Sequence, residues 1–242
     1  MQTLEQKTET RSALSIVIPT FQEGGYIGAT LAWLRRVSYL VPLETIVVDG
    51  GSTDNTIQVA KAFADKVLKT RRGISKARNL GARSARCNVI VFLDADVDLP
   101  SNAVQRILKV FEDPEIVGAT CRIMPSHSGM LERAFFAFYN GLLRAVCRVR
   151  AHSRGEFLAV RKSAFLAVGG FDENLPCLED HDLAFRLSKV GRFAFVNDLT
   201  VYESMRRFRK LGIGEVVGTW FVDYLYYLVR GKPLSMMWKP IR

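Results

Sequence analysis

The stretch "VIVFLDADVDLP", residues 89–100, decides how this chain is read. Five apolar residues run straight into Asp94, Asp96 and Asp98. A continuous apolar run of that length reads as a strand covered on both faces. Delivering clustered carboxylates to the end of such a strand is costly unless positive charge meets them there. Side chains alternate along an extended strand, so Asp94 and Asp96 can point the same way. Two carboxylates facing one cleft suit a hard divalent cation, and magnesium is usually held by one or two carboxylates plus substrate phosphates. The competing reading is a solvated turn in which Asp98 or Ser101 caps the next helix.

Working outward, the same plan recurs on the N-terminal side. "LSIVIPTFQEGG" (14–25) is a short apolar strand, then Pro19, then a polar loop with two glycines; residues 26–37 follow as a helix. "LETIVVDGGSTDNT" (43–56) repeats strand, acidic residue and Gly-Gly turn, then a helix over 57–64 with Ser52 or Thr53 as its expected cap. Val67 and Leu68 suggest a short third strand, "GISKARNLGARSAR" (73–86) a basic helix, Ser101 to Phe111 a helix and "EIVGATCRI" (115–123) a strand. Strands alternating with helices at this spacing predict a parallel α/β sheet. Ligands of such sheets sit beyond the carboxyl ends of the strands, which here carry Pro19-Thr20, Asp49-Gly50-Gly51 and Asp94-Ala95-Asp96.

Past residue 125 the pattern changes. Residues 130–150 read as an amphipathic helix, with Leu131, Phe135, Phe138, Leu142 and Val149 at helical spacing. A strand, "EFLAVR" (156–161), a short helix, the turn "GGFDE" (169–173) and a helix from Glu179 to Val190 follow. No internal repeat or low-complexity segment interrupts the chain, and one domain with a C-terminal extension is the simplest organisation. The expected divisions are a frayed segment 1–13, a domain 14–204 with halves 14–100 and 101–204, and a basic, aromatic tail 205–242.

The chain has 242 residues, 48% of them hydrophobic, which supports a sizeable core and excludes a disordered or fibrous protein. With 34 basic and 24 acidic residues the net charge is +10, suited to anionic partners such as nucleotide diphosphates, phospholipid head groups or nucleic acid. Cys87, Cys121, Cys147 and Cys177 form no CxxC pair, so they read as reduced, mostly buried thiols of a cytoplasmic protein rather than a zinc site. The polar, charged opening residues carry no secretory signal.

Six pieces of the chain stand in an order that resembles the family 2 glycosyltransferases with the GT-A fold: "SIVIPTFQE", "IVVDGGSTDNT", "GISKARNLGA", "VIVFLDAD", "GGFDE" and "LEDHDLAFRL". The resemblance runs from about Leu14 to Tyr202. It implies a Rossmann-like, mostly parallel central sheet flanked by helices, a nucleotide-sugar donor, and one-step transfer with inversion at the anomeric carbon. Carried over residue by residue, it places the nucleotide at Pro19, Thr20, Glu23, Asp49 and Gly51, with Asp49 weighed against a role in organising its Gly-Gly turn. Arg72, then Lys76, is expected near the nucleotide or its phosphates, while Arg83 and Arg86 read as solvated helix charges. Asp94 and Asp96 match the family's DxD, with Ala95 between them; the implied roles are ribose contact for Asp94 and metal ligation for Asp96, with Mg2+ or Mn2+ activating the leaving group in place of a general acid. UDP is the preferred nucleotide and GDP the alternative.

Inverting transfer needs a base for the acceptor hydroxyl. Asp180 matches the Asp of the family's "ED" motif, and its place near a helix N-terminus favours the ionised form. Glu179 and His181 fall on the acceptor side, as do Gly155 and Glu156; Asp182 and Arg186 read as an i,i+4 pair.

The tail departs from the compact core. Arg206, Arg207, Arg209 and Lys210 precede a 14-residue stretch, Val216 to Val229, that is aromatic and broken by Asp223. It is shorter than the roughly 20 residues of a membrane span, and aromatics flanked by basic residues suit a membrane interface. The expectations are a peripheral tail on an anionic cytoplasmic membrane face, or one packed on the core or in a dimer contact. Arg206 or Arg207 could also hold the donor diphosphate. A polyprenyl phosphate or a glycan is the expected acceptor. No QxxRW motif marks a processive synthase. The rival readings are a sugar-nucleotide pyrophosphorylase, whose Gly-rich basic signature "PTFQEGG" lacks, a non-catalytic nucleotide-sugar-binding module, and a nucleic-acid binder, for which no signature is present.

Overall fold

The computed structural model describes residues 13–235. Four strands, β1 (Leu14–Thr20), β2 (Leu43–Asp49), β3 (Lys66–Lys69) and β4 (Val89–Leu93), run parallel, joined by helices α1 (Ile27–Ser38), α2 (Thr56–Phe63) and α3 (Ile74–Ser84). β1, β2 and β4 are buried almost throughout and mostly apolar because helices cover both sides. Beyond β4 come β5 (Val97–Asp98), α4 (Ala103–Val110), β6 (Ile116–Pro125), α5 (Met130–Cys147), β7 (Phe157–Arg161), α6 (Lys162–Ala167), α7 (Glu179–Leu187), β8 (Arg192–Glu203), α8 (Arg206–Leu211) and α9 (Ile213–Arg230).

All eight strands form one sheet in the order β3-β2-β1-β4-β7-β6-β8-β5. It is mostly parallel: β7 runs antiparallel to its neighbours β4 and β6, and β5 runs antiparallel to β8. The inversion of β7 matters for the site. Leu93 at the end of β4 pairs with Phe157 at the start of β7, so Gly155 and Glu156 arrive beside Asp94, whose amide donates to the Glu156 carbonyl at 3.3 Å. β5 does the same for β8, pairing Val97 with Glu203.

One face of the sheet packs Ile16, Ile18 and Val91 against Leu31 and Leu34 of α1; the other packs Val17, Val48 and Phe92 against α3, α6 and α7. α3 lies close on β1: a Cβ added at Gly81 would stand 2.3 Å from Val17 Cγ1. Glu44, fully buried in β2, is held by Lys66 at 2.8 Å and by Arg86 at 2.9 Å. Arg86, expected as a solvated helix charge, is therefore an ion-pair partner just past α3.

Two expectations change, the cap of α2 and the strand count, and the structure adds detail on α5 and the tail. Neither Ser52 nor Thr53 caps α2, which starts at Thr56 after Asn55; the Ser52 hydroxyl donates instead to Asp49. The β8 strand was not anticipated, since its half-exposed burial pattern has no clean period. Of the apolar stripe, Leu131 and Phe138 of α5 and Val149 just past it are 84%, 71% and 93% exposed and Leu142 49%, Phe135 is half-buried, and Phe136, Asn140 and Leu143 face in. Asn140 belongs there because its amide donates to Ile123 O and accepts from Ile123 N. The tail packs on the body, one of the alternatives expected for it. Phe136, Met205, Phe208 and Val216 form a third core cluster, and Tyr227 donates to Asp182 at 2.9 Å. Asp223 is buried and accepts from the amides of Leu234 and Ser235. Among the described residues no helix is long and apolar enough to cross a membrane. Most of the expected frayed segment 1–13 and the last residues of the expected tail lie outside the described residues.

Candidate active site

The carboxyl ends of β1, β2 and β4 open on one side of the sheet, and their loops are fastened to each other. Gln22 holds a positive φ of 60°. Its amide donates to Ser52 Oγ at 2.7 Å, and its side-chain oxygen accepts from the amides of Thr53 and Asp54. Asp49 is fully buried and accepts from the amides of Gly51 and Ser52 and from the hydroxyls of Ser52 and Thr20. Its carboxylate thus organises the Gly-Gly turn, and Gly51 takes a φ of 98° that glycine accepts without strain. Pro19 and Thr20 form the last two positions of β1 beside Val48 and Asp49. Arg72 is exposed, its guanidinium 4.5 Å from the centre of the Phe21 ring, and Lys76 is half-buried on α3. Thr30 of α1 donates to the carbonyls of Ala95 and Val97, fixing the acidic turn from below.

Behind that turn, three arginines each bridge two carboxylates. Arg78, 1% exposed, contacts Glu179 at 2.7 Å and Asp94 at 3.1 Å and donates to the Gly155 carbonyl at 2.7 Å. Arg154 holds Glu156 at 2.9 Å and Glu203 at 2.7 Å. Arg206 clasps Glu23 through both Nη atoms at 2.8 Å and Asp96 through Nε at 2.9 Å. Each guanidinium is shared, so the acids remain incompletely compensated. Burial, only partly offset by Arg78, lifts Asp94 to about 7. Burial raises Asp96 as well, against Arg206. Glu203 is raised by burial and holds its proton, which it donates to Glu156; Arg154 and that hydrogen bond keep Glu156 ionised despite its own burial.

Asp180 stands at the first turn of α7, 7% exposed, next to Glu179. The helix N-terminus was expected to favour its ionised form, but burial outweighs that field and Arg78 together and lifts it to about 6. A carboxylate at that value is a better proton acceptor near neutrality than an ordinary one. Gly155 faces it: a Cβ there would stand 3.3 Å from Arg78 Nη2 and 3.9 Å from Asp180 Oδ2. His181 stacks on His152 with ring centres 3.7 Å apart, and burial keeps both neutral, at about 3 and about 2. The Asp182–Arg186 pair forms, at 2.6 Å. Arg207 is half-buried beside Arg206, and burial lowers its pKa.

Next to Asp180 a cavity of about 470 Å³ opens between α5 and α9. Phe135, Phe138 and Leu142 wall it on one side and Val217, Trp220 and Phe221 on the other; Asp94, Arg154, Glu156, Asp180 and His181 lie at its floor. The structure brings Asp94, Gly155, Glu156, Glu179, Asp180 and His181 into the lining of one cavity, while Arg206 ties Asp96 to Glu23 of the loop after β1. Arg78, Arg154, Glu203 and Gln22 were missed. Arg78 carried one readable signal: it lies three and four residues before Gly81 and Ala82, on the face of α3 that meets the sheet.

The residues also bear on whether a divalent ion fits. Among the described residues no group of three or more acidic, histidine or cysteine side chains is arranged to hold a metal. A single carboxylate suffices when donor phosphates supply the rest, and the raised pKa of Asp96 marks a carboxylate still short of positive charge. Asp96, with Asp94 behind it, therefore fits such an ion in charge and donor type.

Comparison with known proteins gives a consistent result. The family model for glycosyl transferase family 2 matches residues 15–164. The succinoglycan biosynthesis protein ExoA of Rhizobium meliloti (strain 1021) is 27% identical over 209 residues, covering 79% of this chain and 62% of the relative. The O-antigen chain rhamnosyltransferase WbaN of Salmonella anatum is 24% identical over 210 residues, covering 79% and 66%. The chain thus spans somewhat under two thirds of the length of these curated relatives. Among solved structures, the mannosyltransferase PcManGT from Pyrobaculum calidifontis, in complex with GDP-Man and Mn2+, superposes with a TM-score of 0.73 at 22% identity, covering 91% of this chain and 65% of that one. S. aureus TarS 1-349 in complex with UDP-GlcNAc gives 0.62 at 16% identity, covering 79% and 58%. These likenesses show the GT-A fold.

Proposed function

The chain belongs to glycosyl transferase family 2, and on that premise we propose that it transfers a sugar from a nucleotide-diphosphate donor to an acceptor hydroxyl, with inversion. The observation that carries this reading is that Asp180, lifted to about 6, and Asp94, two residues before Asp96, line one cavity. The donor base and ribose would lie against Pro19, Thr20 and Gly51, with Glu23, Arg72 and Lys76 at the edge; Asp49, fully buried, would serve them through the Gly-Gly turn that it holds and not by direct contact. A divalent ion, Mg2+ or Mn2+, would be held by Asp96, with Asp94 beside it, and would stabilise charge on the departing diphosphate. Arg78 fixes Asp94, Glu179 and the Gly155 carbonyl in one frame, so the donor side and the base keep their spacing. Asp180 takes the acceptor proton. Burial by α5, α9 and the β7 entry keeps water from competing with the acceptor. Arg206 and Arg207 stand where the diphosphate departs and can neutralise it.

UDP remains the preferred nucleotide, with GDP open because the PcManGT structure holds GDP-Man. Calorimetric titration of UDP and GDP, each with and without Mn2+, tests the donor site. Metal-dependent binding of one nucleotide, lost in Asp96→Ala, is expected; no binding of either overturns the reading.

A further inference from the structure

The cavity between α5 and α9 differs in character from the rest of the cleft. Its walls are aromatic and aliphatic, and its mouth lies at Phe138, Leu142 and Phe221, which are 71%, 49% and 63% exposed. Its floor is polar and incompletely satisfied. Among the described residues, buried Arg154 Nη1 and His181 Nδ1 have no hydrogen-bond partner, although Arg154 is only 4% exposed. Those two atoms are shut off from the cavity, but the carboxylates of Asp94, Glu156 and Asp180 line it, so a ligand that reaches the floor needs polar groups of its own. An amphiphile matches: an apolar chain along the walls and a polar head on the floor.

The charge of the floor selects the head. Asp94, Glu156, Glu179 and Asp180 line it, against Arg78 and Arg154. Both guanidiniums are already shared between carboxylates. A phosphate placed there meets four acidic groups, whereas hydroxyls can donate to those carboxylates. The volume selects the tail. At roughly 30 Å³ for each water-sized group, about 470 Å³ holds one chain of moderate length and a sugar ring, not a two-chain phospholipid. We propose that this groove is the acceptor subsite and takes a neutral glycolipid, with a single apolar chain between α5 and α9 and its sugar hydroxyls at Asp180. The proposal rests on the glycosyl-transfer reading for the role of Asp180, but binding itself requires no turnover.

Calorimetry with alkyl glycosides below their micelle concentrations tests it. Octyl β-D-glucoside or octyl β-D-galactoside binds, methyl glycosides do not, and each methylene between hexyl and octyl tightens binding roughly two- to fourfold. Octyl phosphate binds at least tenfold more weakly than the better octyl glycoside. Phe138→Asp and Leu142→Asp alter exposed positions that the fold tolerates; each weakens octyl glycoside binding at least tenfold and leaves nucleotide binding unchanged. Octyl glycosides that bind no better than methyl glycosides overturn the proposal, as does preferential binding of octyl phosphate. If UDP or GDP binds with Mn2+ while the octyl glycosides fail, the groove assignment falls and the donor reading stands. If the glycosides bind and neither nucleotide does, the glycolipid groove stands and the donor reading falls.

Discussion

Replacing Arg78 by methionine keeps a long side chain in α3 but removes the charge that holds two halves of the site together. Arg78 is 1% exposed and contacts Glu179 at 2.7 Å, Asp94 at 3.1 Å and the Gly155 carbonyl at 2.7 Å. Removing one partner from a buried ion pair leaves the other charge uncompensated and costs about 3–5 kcal/mol. That cost depends on pH, and its sign follows from Glu179. Burial and the neighbouring Asp180 already raise its pKa in the folded protein, and Arg78 opposes them. Without Arg78 the folded pKa rises further above the unfolded value. Between those two values the folded state binds more protons than the unfolded one, so stability falls as pH increases through the window. The deficit of Arg78→Met is therefore larger at pH 8 than at pH 5.5, and Asp94, already at about 7 with Arg78 opposing its burial, shifts in the same sense. The deficit shrinks on acidification by about 1.4 kcal/mol for each unit by which the loss of Arg78 raises Glu179. Urea unfolding of the wild type and the variant at pH 8 and pH 5.5 reads both quantities. Adding Glu179→Gln should recover part of the loss, with a coupling energy of about 0.5–3 kcal/mol. A loss below about 1 kcal/mol at pH 8, or the same deficit at both pH values, would refute this electrostatic account of the hub.

Asp180→Asn should lower turnover by roughly 10²–10⁴-fold while the calorimetric nucleotide affinity stays within twofold. In the wild type kcat/KM should fall below pH about 6, because a base must be unprotonated to act; a rate flat down to pH 5 would remove Asp180 from that role. Gly155→Ala presses a methyl group to 3.3 Å from Arg78 Nη2 and 3.9 Å from Asp180 Oδ2. It should cost on the order of tenfold in kcat, less than the ~100-fold of a full 1 Å misplacement, with nucleotide affinity unchanged; steady-state kinetics beside calorimetry checks this. The outer face of α9 exposes Phe221, Val222, Leu225, Leu228 and Val229. Flotation with anionic vesicles at low salt should carry the protein upward, and a protein that stays at the bottom would count against a peripheral membrane role.

The donor half was legible because its logic is local. Each of β1, β2 and β4 ends at its own polar residues, and the continuous apolar runs of "SIVI" and "VIVFL" announced a covered sheet before any contact was known. Asp180 was legible through the motif around it, but the burial that lifts its pKa was not. Leu131, Phe138 and Val149 form a tidy stripe, yet that stripe faces outward, and the side chain anchoring the inner face is Asn140. Arg78 was passed over in favour of Arg72 and Lys76 because its partners are far away in the chain. Glu179 is 101 positions distant and Gly155 is 77. Only the antiparallel insertion of β7 brings them together, and nothing in the spelling of "EFLAVR" distinguishes an antiparallel strand from a parallel one. Arg154 and Glu203, 49 residues apart, were hidden for the same reason.

The pairing of three arginines with six carboxylates also sets what the cleft can admit. Each guanidinium offers one positive charge to two acids, and the residue of that imbalance is visible in Asp94, Asp96 and Glu179, all lifted above the ordinary carboxylate range by burial that their arginines only partly offset. A bare diphosphate brought to Asp96 would add negative charge to a site that already lacks positive charge. The same diphosphate carrying a divalent ion arrives close to neutral and supplies the cation that Asp96 lacks. Metal dependence of donor binding is thus what the electrostatics of these residues require on the proposed reading, independent of any motif. It also gives Arg206 a place in the sequence of events. While it clasps Glu23 and Asp96 it partly screens them. A cation held by Asp96 would compete with that clasp and would leave the Arg206 guanidinium available to the diphosphate. Arg206→Gln should therefore bind the nucleotide without metal no better than wild type, since the uncovered carboxylates repel it, while losing affinity for the metal-loaded nucleotide by about 1.5–3 kcal/mol, the worth of a hydrogen bond to a charged group. Tighter metal-free nucleotide binding in that variant would show that Arg206 blocks the site instead of serving it.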